Sequence, residues 1–198
     1  MKINLNEIYA QLKAWRHERG ITAESQKAGY LVNVMEELGE LATALREYER
    51  FSKPSYPYQK NKKYAEHGII DALCDISVFT INVGADINCN EKLESINTTT
   101  QTTRCNSSLS FLLSECGNFD YYGKLSSYVC FNQILLSCAK LCEQYGFNFE
   151  IAMLETIKEI SSRTGSYDEV SKKWVKDESD EAKAKWYKAD YEKARIKQ

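Results

Sequence analysis

The sequence predicts an all-α protein, an antiparallel helical bundle, and three observations carry that prediction. Apolar residues recur at helical spacing in one segment after another, and Gly, Thr and Ser stand where such segments begin and end. No run alternates apolar and polar residues over the length of a strand. The 198 residues, 43% of them hydrophobic, suffice for one domain with a real core.

The elements follow in order. A short amphipathic helix places Ile8, Leu12 and Trp15 on one face and ends after RHER, before Gly20. Thr22 or Ser25 caps the second helix, which runs to about Tyr48 and contains VMEELGELATAL, Val34 to Leu45. FSKPSYPYQKNKK holds both prolines of the chain, and two so close break a helix, so this is a loop whose Lys60, Lys62 and Lys63 are either solvated or meet a polyanion. The next helix spans about Tyr64 to Ala85 and contains IIDALCDISVFTIN, Ile69 to Asn82. Asp86 to Ser108 is rich in Asn, Thr and Ser and reads as a loop or insertion with little core.

Residues 109–117 form a short helix that stops at Gly117, and a longer one covers about 125–145, with Gly146 as its stop. The buried side of that longer helix is Val129, Ile134, Leu135, Cys138 and Leu141. A helix over about 149–162 carries Ile151, Leu154, Ile157 and Ile160, and Gly165 beyond it suits a C-terminal stop. The charged tail, with Trp174, Trp186, Tyr187 and Tyr191, reads as a surface-packed helix or arm. The chain thus divides into a helical domain over 1–162, with an insertion or loop over about 86–124, and an extension over 163–198 that packs on the core or a partner subunit.

Composition excludes several classes. A formal charge of −2 argues against general affinity for nucleic acid or an anionic membrane. No apolar run reaches the length of a membrane span, and MKINLNEIYAQLKAW lacks the apolar block of a signal peptide, so a cytoplasmic protein is expected. Seven Cys, none in CxxC, and only His17 and His67 give little support to a zinc site. Cys74, Cys138 and Cys142 read as small reduced core residues.

The chemistry lies in two of the helices. At 3.6 residues per turn, Glu37 and Glu40 project from one side of the first acidic helix, and Glu36 pairs with Glu40 at i, i+4. Asp71 and Asp75 are i, i+4 on the second, and Asn82 continues their stripe. Around these acids sit Val34, Met35, Leu38, Leu41, Ala42 and Leu45, then Ile69, Ile70, Leu73, Ile76, Val78 and Phe79. An EExxE pattern alone is also what a solvated face shows. The two Asp are more informative, because they are the only charges in a long apolar run and Asp is a poor mid-helix residue. Acids so placed must be solvated, protonated or paired with a cation, and hard oxygen ligands favour magnesium or manganese.

EELGEL, a break, and then DALCDISVFTINVG resemble the MazG-like branch of the all-α nucleoside triphosphate pyrophosphohydrolases, whose signature is EExxE, a gap, then ExxD. Glu36, Glu37 and Glu40 match the first half and Asp75 the final Asp; the expected acid three residues earlier is Ala72, and Asp71 stands in its place. The resemblance extends to the opening WRHERGI and, loosely, to helices 125–162, but not to the Asn/Thr-rich segment. It implies hydrolysis of a nucleoside triphosphate between the α and β phosphates, with magnesium neutralising phosphate oxygens and activating a water. Glu37, Glu40, Asp71 and Asp75 would hold one or two ions. Glu36 is a further ligand, the group that activates the water, or a solvated support for its neighbours.

The substrate also needs a base or sugar contact and counter-charges for its phosphates. Asn82 supplies the first or is a satisfied core amide. Arg163, Lys158 and Lys172 or Lys173 are candidates for the second, each also readable as a surface charge. Trp15 stacks on a base or belongs to the core. The resemblance also implies a homodimer or higher homo-oligomer. Two other classes remain: a non-catalytic helical interaction protein with solvated acidic faces, and a di-iron or di-manganese bundle. The latter wants Glu-x-x-His pairs, which neither His17 nor His67 provides.

Overall fold

The structure is a computed structural model that describes residues 2–84, 96–97, 109–121, 124–168, 170 and 173–197. It is all-α in class, a bundle of α1 (Leu5–Glu18), α2 (Ala23–Phe51), α3 (Lys62–Gly84), α4 (Leu109–Tyr121), α5 (Lys124–Gln144) and α6 (Phe149–Ser162), with a one-turn α7 (Asp180–Lys183). Side-chain caps start four of these helices, α7 among them, where Ser179 accepts from Ala182 N–H at 3.2 Å. Asn4 accepts from Asn6 N–H at 3.1 Å, Thr22 from Ser25 N–H at 3.2 Å and Asn148 from Ile151 N–H at 3.0 Å. Gly146, at φ +82°, follows α5 in the left-handed conformation that ends helices and that only glycine adopts cheaply.

α3 is the axis of the bundle. Its apolar run leaves Ile69, Ile70, Leu73, Cys74, Ile76 and Ile81 buried on more than one side, against α2, α5 and α6. α2 and α3 pack most extensively against each other and run antiparallel: Tyr30 meets Thr80, while Ala44 meets Gly68. Gly84 ends α3 against Phe131, whose ring lies 2.3 Å from where a Cβ would stand, so no larger residue fits without repacking. Cys74, Cys116, Cys130, Cys138 and Cys142 are free thiols in the buried core, as expected for the three of them read from sequence.

Several sequence expectations are corrected. Gly117 does not stop its helix; α4 continues through it to Tyr121, at a position where a Cβ would meet nothing within 4 Å. The span 86–124 is therefore not irregular throughout, since α4 buries Leu112, Cys116 and Phe119. The reading of 86–108 as a loop falls, save for 96–97, outside the described residues. Met35, Val129 and Ile151 are exposed rather than core, because each stands just past the edge of its helix's buried stripe.

Short strands are present where none was expected. β1 (Lys2–Ile3) pairs antiparallel with β2 (Ile96–Asn97), and β3 (Gly165–Asp168) with β4 (Lys173–Lys176). Gly165 is thus not a helix stop but the first residue of β3, opposite Lys176; a Cβ there would lie 2.2 Å from the Val175 carbonyl oxygen. The tail is an arm rather than one continuous helix. It crosses α7 and a 3-10 turn, Tyr191–Ala194, and packs back on the core. There Asn148 N–H donates to Ala194 O at 2.6 Å, and the Arg195 guanidinium lies 4.4 Å from the Phe147 ring centre. Among the described residues no helix is long and apolar enough to cross a membrane.

Candidate active site

The antiparallel pairing of α2 and α3 sets the acids of one helix beside those of the other. A cleft of about 520 Å³ is lined by Glu36, Glu37 and Glu40 from α2, by Asp75, Val78, Phe79 and Asn82 from α3, and by Arg163 just after α6. An adjoining groove shares Glu36 and Glu40 and adds Asp71. The five acids therefore occupy two connected hollows along one helix–helix seam. Among the described residues, no three His, Cys, Asp or Glu side chains close into a ready-made ion cage.

Their electrostatics mark them out. Burial pushes Glu37 up to about 7, and the carboxylates of Glu40, Asp71 and Glu36 add to the rise while Arg163 opposes it. Asp75 is raised well above the ordinary carboxylate range by burial first, then by Asp71 and Glu37. Asp71 is also raised, chiefly by burial, although the Tyr191 hydroxyl donates to its Oδ1 at 2.5 Å and pulls the other way. Each of these acids is costly to ionise where it stands, and each makes its neighbours costlier.

Asn82 is fully buried at 0% exposure and lines the same cleft. Its backbone carbonyl accepts from the Arg16 guanidinium at 2.8 Å, and its side-chain N–H donates weakly to Gln26 Oε1 at 3.4 Å. Among the described residues its Oδ1 has no partner. A buried amide oxygen left unpaired costs free energy.

Comparison with protein-family models, with curated proteins and with solved structures gives no match. The functional reading of this chain therefore rests on its own residues.

The proposed phosphate contacts fare differently from one another. Arg163 lines the cleft, although Glu159 Oε1 is 3.1 Å from its guanidinium. Lys158 does not line the cleft; its ammonium lies 2.5 Å from Glu155 Oε1. Lys172 lies outside the described residues. Trp15 is half-buried in the cleft wall, with its indole N–H donating to Ile160 O at 3.2 Å, so it is at once structural and accessible.

The structure adds residues that sequence reasoning did not select: Gln26 and Asn33 from α2, and Trp174 and Lys176 from β4. Gln26 and Asn33 stand seven residues apart, and Asn33 stands seven before Glu40, so a polar stripe running back along the helix from EELGE would have found them. Trp174 and Lys176 needed the hairpin. Alternation puts their side chains on the same face of β4, and KWVK carries only a short signal of that. Arg19 ties this hairpin to the bundle: its guanidinium lies 5.4 Å from the Trp15 ring centre and 5.2 Å from that of Trp174.

Proposed function

We propose that this protein is a magnesium- or manganese-dependent nucleoside triphosphate pyrophosphohydrolase that cleaves between the α and β phosphates. One observation carries the reading. Glu37 and Asp75 are half-buried beside like charges and, among the described residues, receive no hydrogen-bond donor, so they lack the compensation that the buried Glu155 possesses. The donor set fits a hard divalent cation: it is all carboxylate oxygen, and its members raise one another's proton affinity. Glu40, Asp71 and Asp75 would hold the ion together with Glu37, turning their side chains toward one another. Bound there, it neutralises phosphate oxygens and acidifies a coordinated water.

The rest of the chemistry belongs to the chain. Water adds at the α phosphorus, the bond to the bridging oxygen breaks, and a monophosphate and pyrophosphate leave. Glu36, beside the proposed ligands, orients the attacking water and takes its proton. Arg163 and Lys176 meet phosphate charge not otherwise compensated. The orphan Oδ1 of Asn82 accepts from a base or sugar donor, with Trp15, Phe79 and Trp174 as apolar walls. Val32 and Met35, exposed on α2, mark the face that a second copy would cover in a homodimer.

The test is release of pyrophosphate from canonical and damaged (d)NTPs by purified protein, with and without magnesium. Turnover that requires the metal and disappears in Asp75→Asn supports the reading. Metal-independent turnover, or none with any triphosphate, rejects it and returns the chain to the class of helical interaction proteins.

A further inference from the structure

We infer that Tyr191, in the C-terminal extension, is a positioning residue for Asp71: it holds one carboxylate oxygen so that Asp71 presents the other in a fixed orientation to the acids of α2. The inference rests on the proposed metal site and adds to it a residue from outside the two acidic helices.

The geometry is specific. Tyr191 is 4% exposed, and its ring belongs to the core, 5.9 Å from the centre of the His67 ring. Its hydroxyl stands between two partners, Asp71 Oδ1 at 2.5 Å and Thr156 Oγ1 at 2.9 Å. A buried tyrosine that only filled the core would need one partner for its hydroxyl, and Thr156 suffices for that. The second bond, to an acid of the α2–α3 seam, is what a support for that acid requires. A phenol has one hydrogen, so while Asp71 is ionised Tyr191 donates to it and accepts from Thr156. Thr156 can otherwise donate to Ala152 O, at 3.1 Å. The order is then Thr156 to Tyr191 to Asp71, with each hydroxyl orienting the next.

The segment on either side of Tyr191 is pinned, so the hydroxyl is delivered by a fixed backbone. Ala189 N–H donates to Glu159 Oε2 at 2.8 Å, and Asp190 N–H to Glu155 Oε2 at 3.2 Å. Beyond it, Lys193 donates to Glu155 at 3.2 Å, and Arg195 donates to Glu66 and Glu192, both at 2.8 Å. His67 lies 2.7 Å from Glu192 and closes the arrangement on α3. The extension is thus clamped to α6 and α3 at the points that flank the one side chain it sends toward Asp71. Groups that orient a metal ligand in this way govern affinity for the ion although they never touch it.

The experiment titrates the full-length protein with Mn²⁺ and follows the free ion by electron paramagnetic resonance. Tyr191→Phe removes a single hydroxyl and is expected to keep the helical circular dichroism while weakening Mn²⁺ binding about 10- to 100-fold. In an Asp71→Asn background the same substitution is expected to change Mn²⁺ affinity by less than about twofold, a coupling that a purely structural tyrosine would not show. Thr156→Val, which strips the hydroxyl of its second partner, weakens binding several-fold and carries the test if Tyr191→Phe does not fold. Mn²⁺ affinity unchanged in Tyr191→Phe, or in Thr156→Val where that variant stands in, overturns the inference, as does an equal loss with and without Asp71. A wild-type protein that binds no Mn²⁺ overturns the metal site itself, which is a different failure.

Discussion

On α6, Glu155 and Glu159 stand one turn apart, as Asp71 and Asp75 do on α3, yet the two pairs titrate in opposite directions. Glu155 is 2% exposed, and burial works against its charge. Lys158, the Tyr187 hydroxyl, Asp190 N–H and Lys193 nevertheless hold it down at about 2. Glu159 is lowered in the same way against its burial, by Ala189 N–H, Arg163 and Lys188. Asp75 has no such donors and rises. Burial alone thus does not make an acid functional; what separates a structural carboxylate from a ligand in waiting is the number of donors aimed at it.

Removing acids from the α2–α3 seam has the largest expected effect on turnover and little on the fold. Asp75→Asn or Glu40→Gln should reduce pyrophosphate release by more than the roughly 10- to 100-fold typical of outer-shell partners, with the helical spectrum intact. Without metal, Asp75→Asn should also raise the melting temperature at neutral pH, because it removes a carboxyl whose ionisation is opposed by burial and by Asp71 and Glu37 in the folded state alone. Either variant retaining wild-type turnover erases the contrast between α3 and α6.

The opposite substitution sharpens it. Glu155→Gln should cost about 1.5–3 kcal/mol in urea unfolding, moderated because Lys158 and Lys193 are themselves half exposed.

The two regions should also separate by pH. Glu155 sits below its ordinary value of 4.5, so the stability it contributes is complete above that value and is lost as pH falls toward about 2. Glu37 sits above the same value, at about 7, so the folded state holds its proton longer than the unfolded one does. Its contribution therefore declines as pH rises from 4.5 toward 7 and is flat beyond. Magnesium should consequently raise the melting temperature more at pH 8 than at pH 5, and a pH-independent increment would contradict this.

Smaller effects belong to the substrate side of the cleft. Asn82→Ala should raise KM about tenfold with kcat nearly unchanged, since it removes an acceptor of the cleft that has no partner among the described residues. Lys176→Ala should raise KM only several-fold, because that ammonium is half exposed and already 3.5 Å from Glu178.

The sequence disclosed the bundle and the acidic seam because both are written in periodicity. Asp71 and Asp75 interrupt an apolar run one turn apart, and a helix has only one way of placing them. The strand pair was hidden, since GSYD and KWVK are short, and most of the side chains described there are exposed, so no buried face imposes alternation. The role of Lys158 was equally illegible: Glu155, three residues before it, reads as an ordinary acid until the tail returns and buries it. Tyr191 meets Asp71 across 120 positions, and no local pattern announces such a meeting.

One consequence follows from Arg19, stacked between the indoles of Trp15 and Trp174 while its guanidinium donates to the carbonyls of Ser161 and Arg163 at 2.9 and 3.2 Å. Both indoles also border the cleft, so an occupant touches two of the three tryptophans of the chain beside a fixed positive charge. The molecule carries its own optical gauge. Intrinsic emission should shift on nucleotide addition in the unmodified protein, and Trp174→Phe should silence most of that signal without any attached dye.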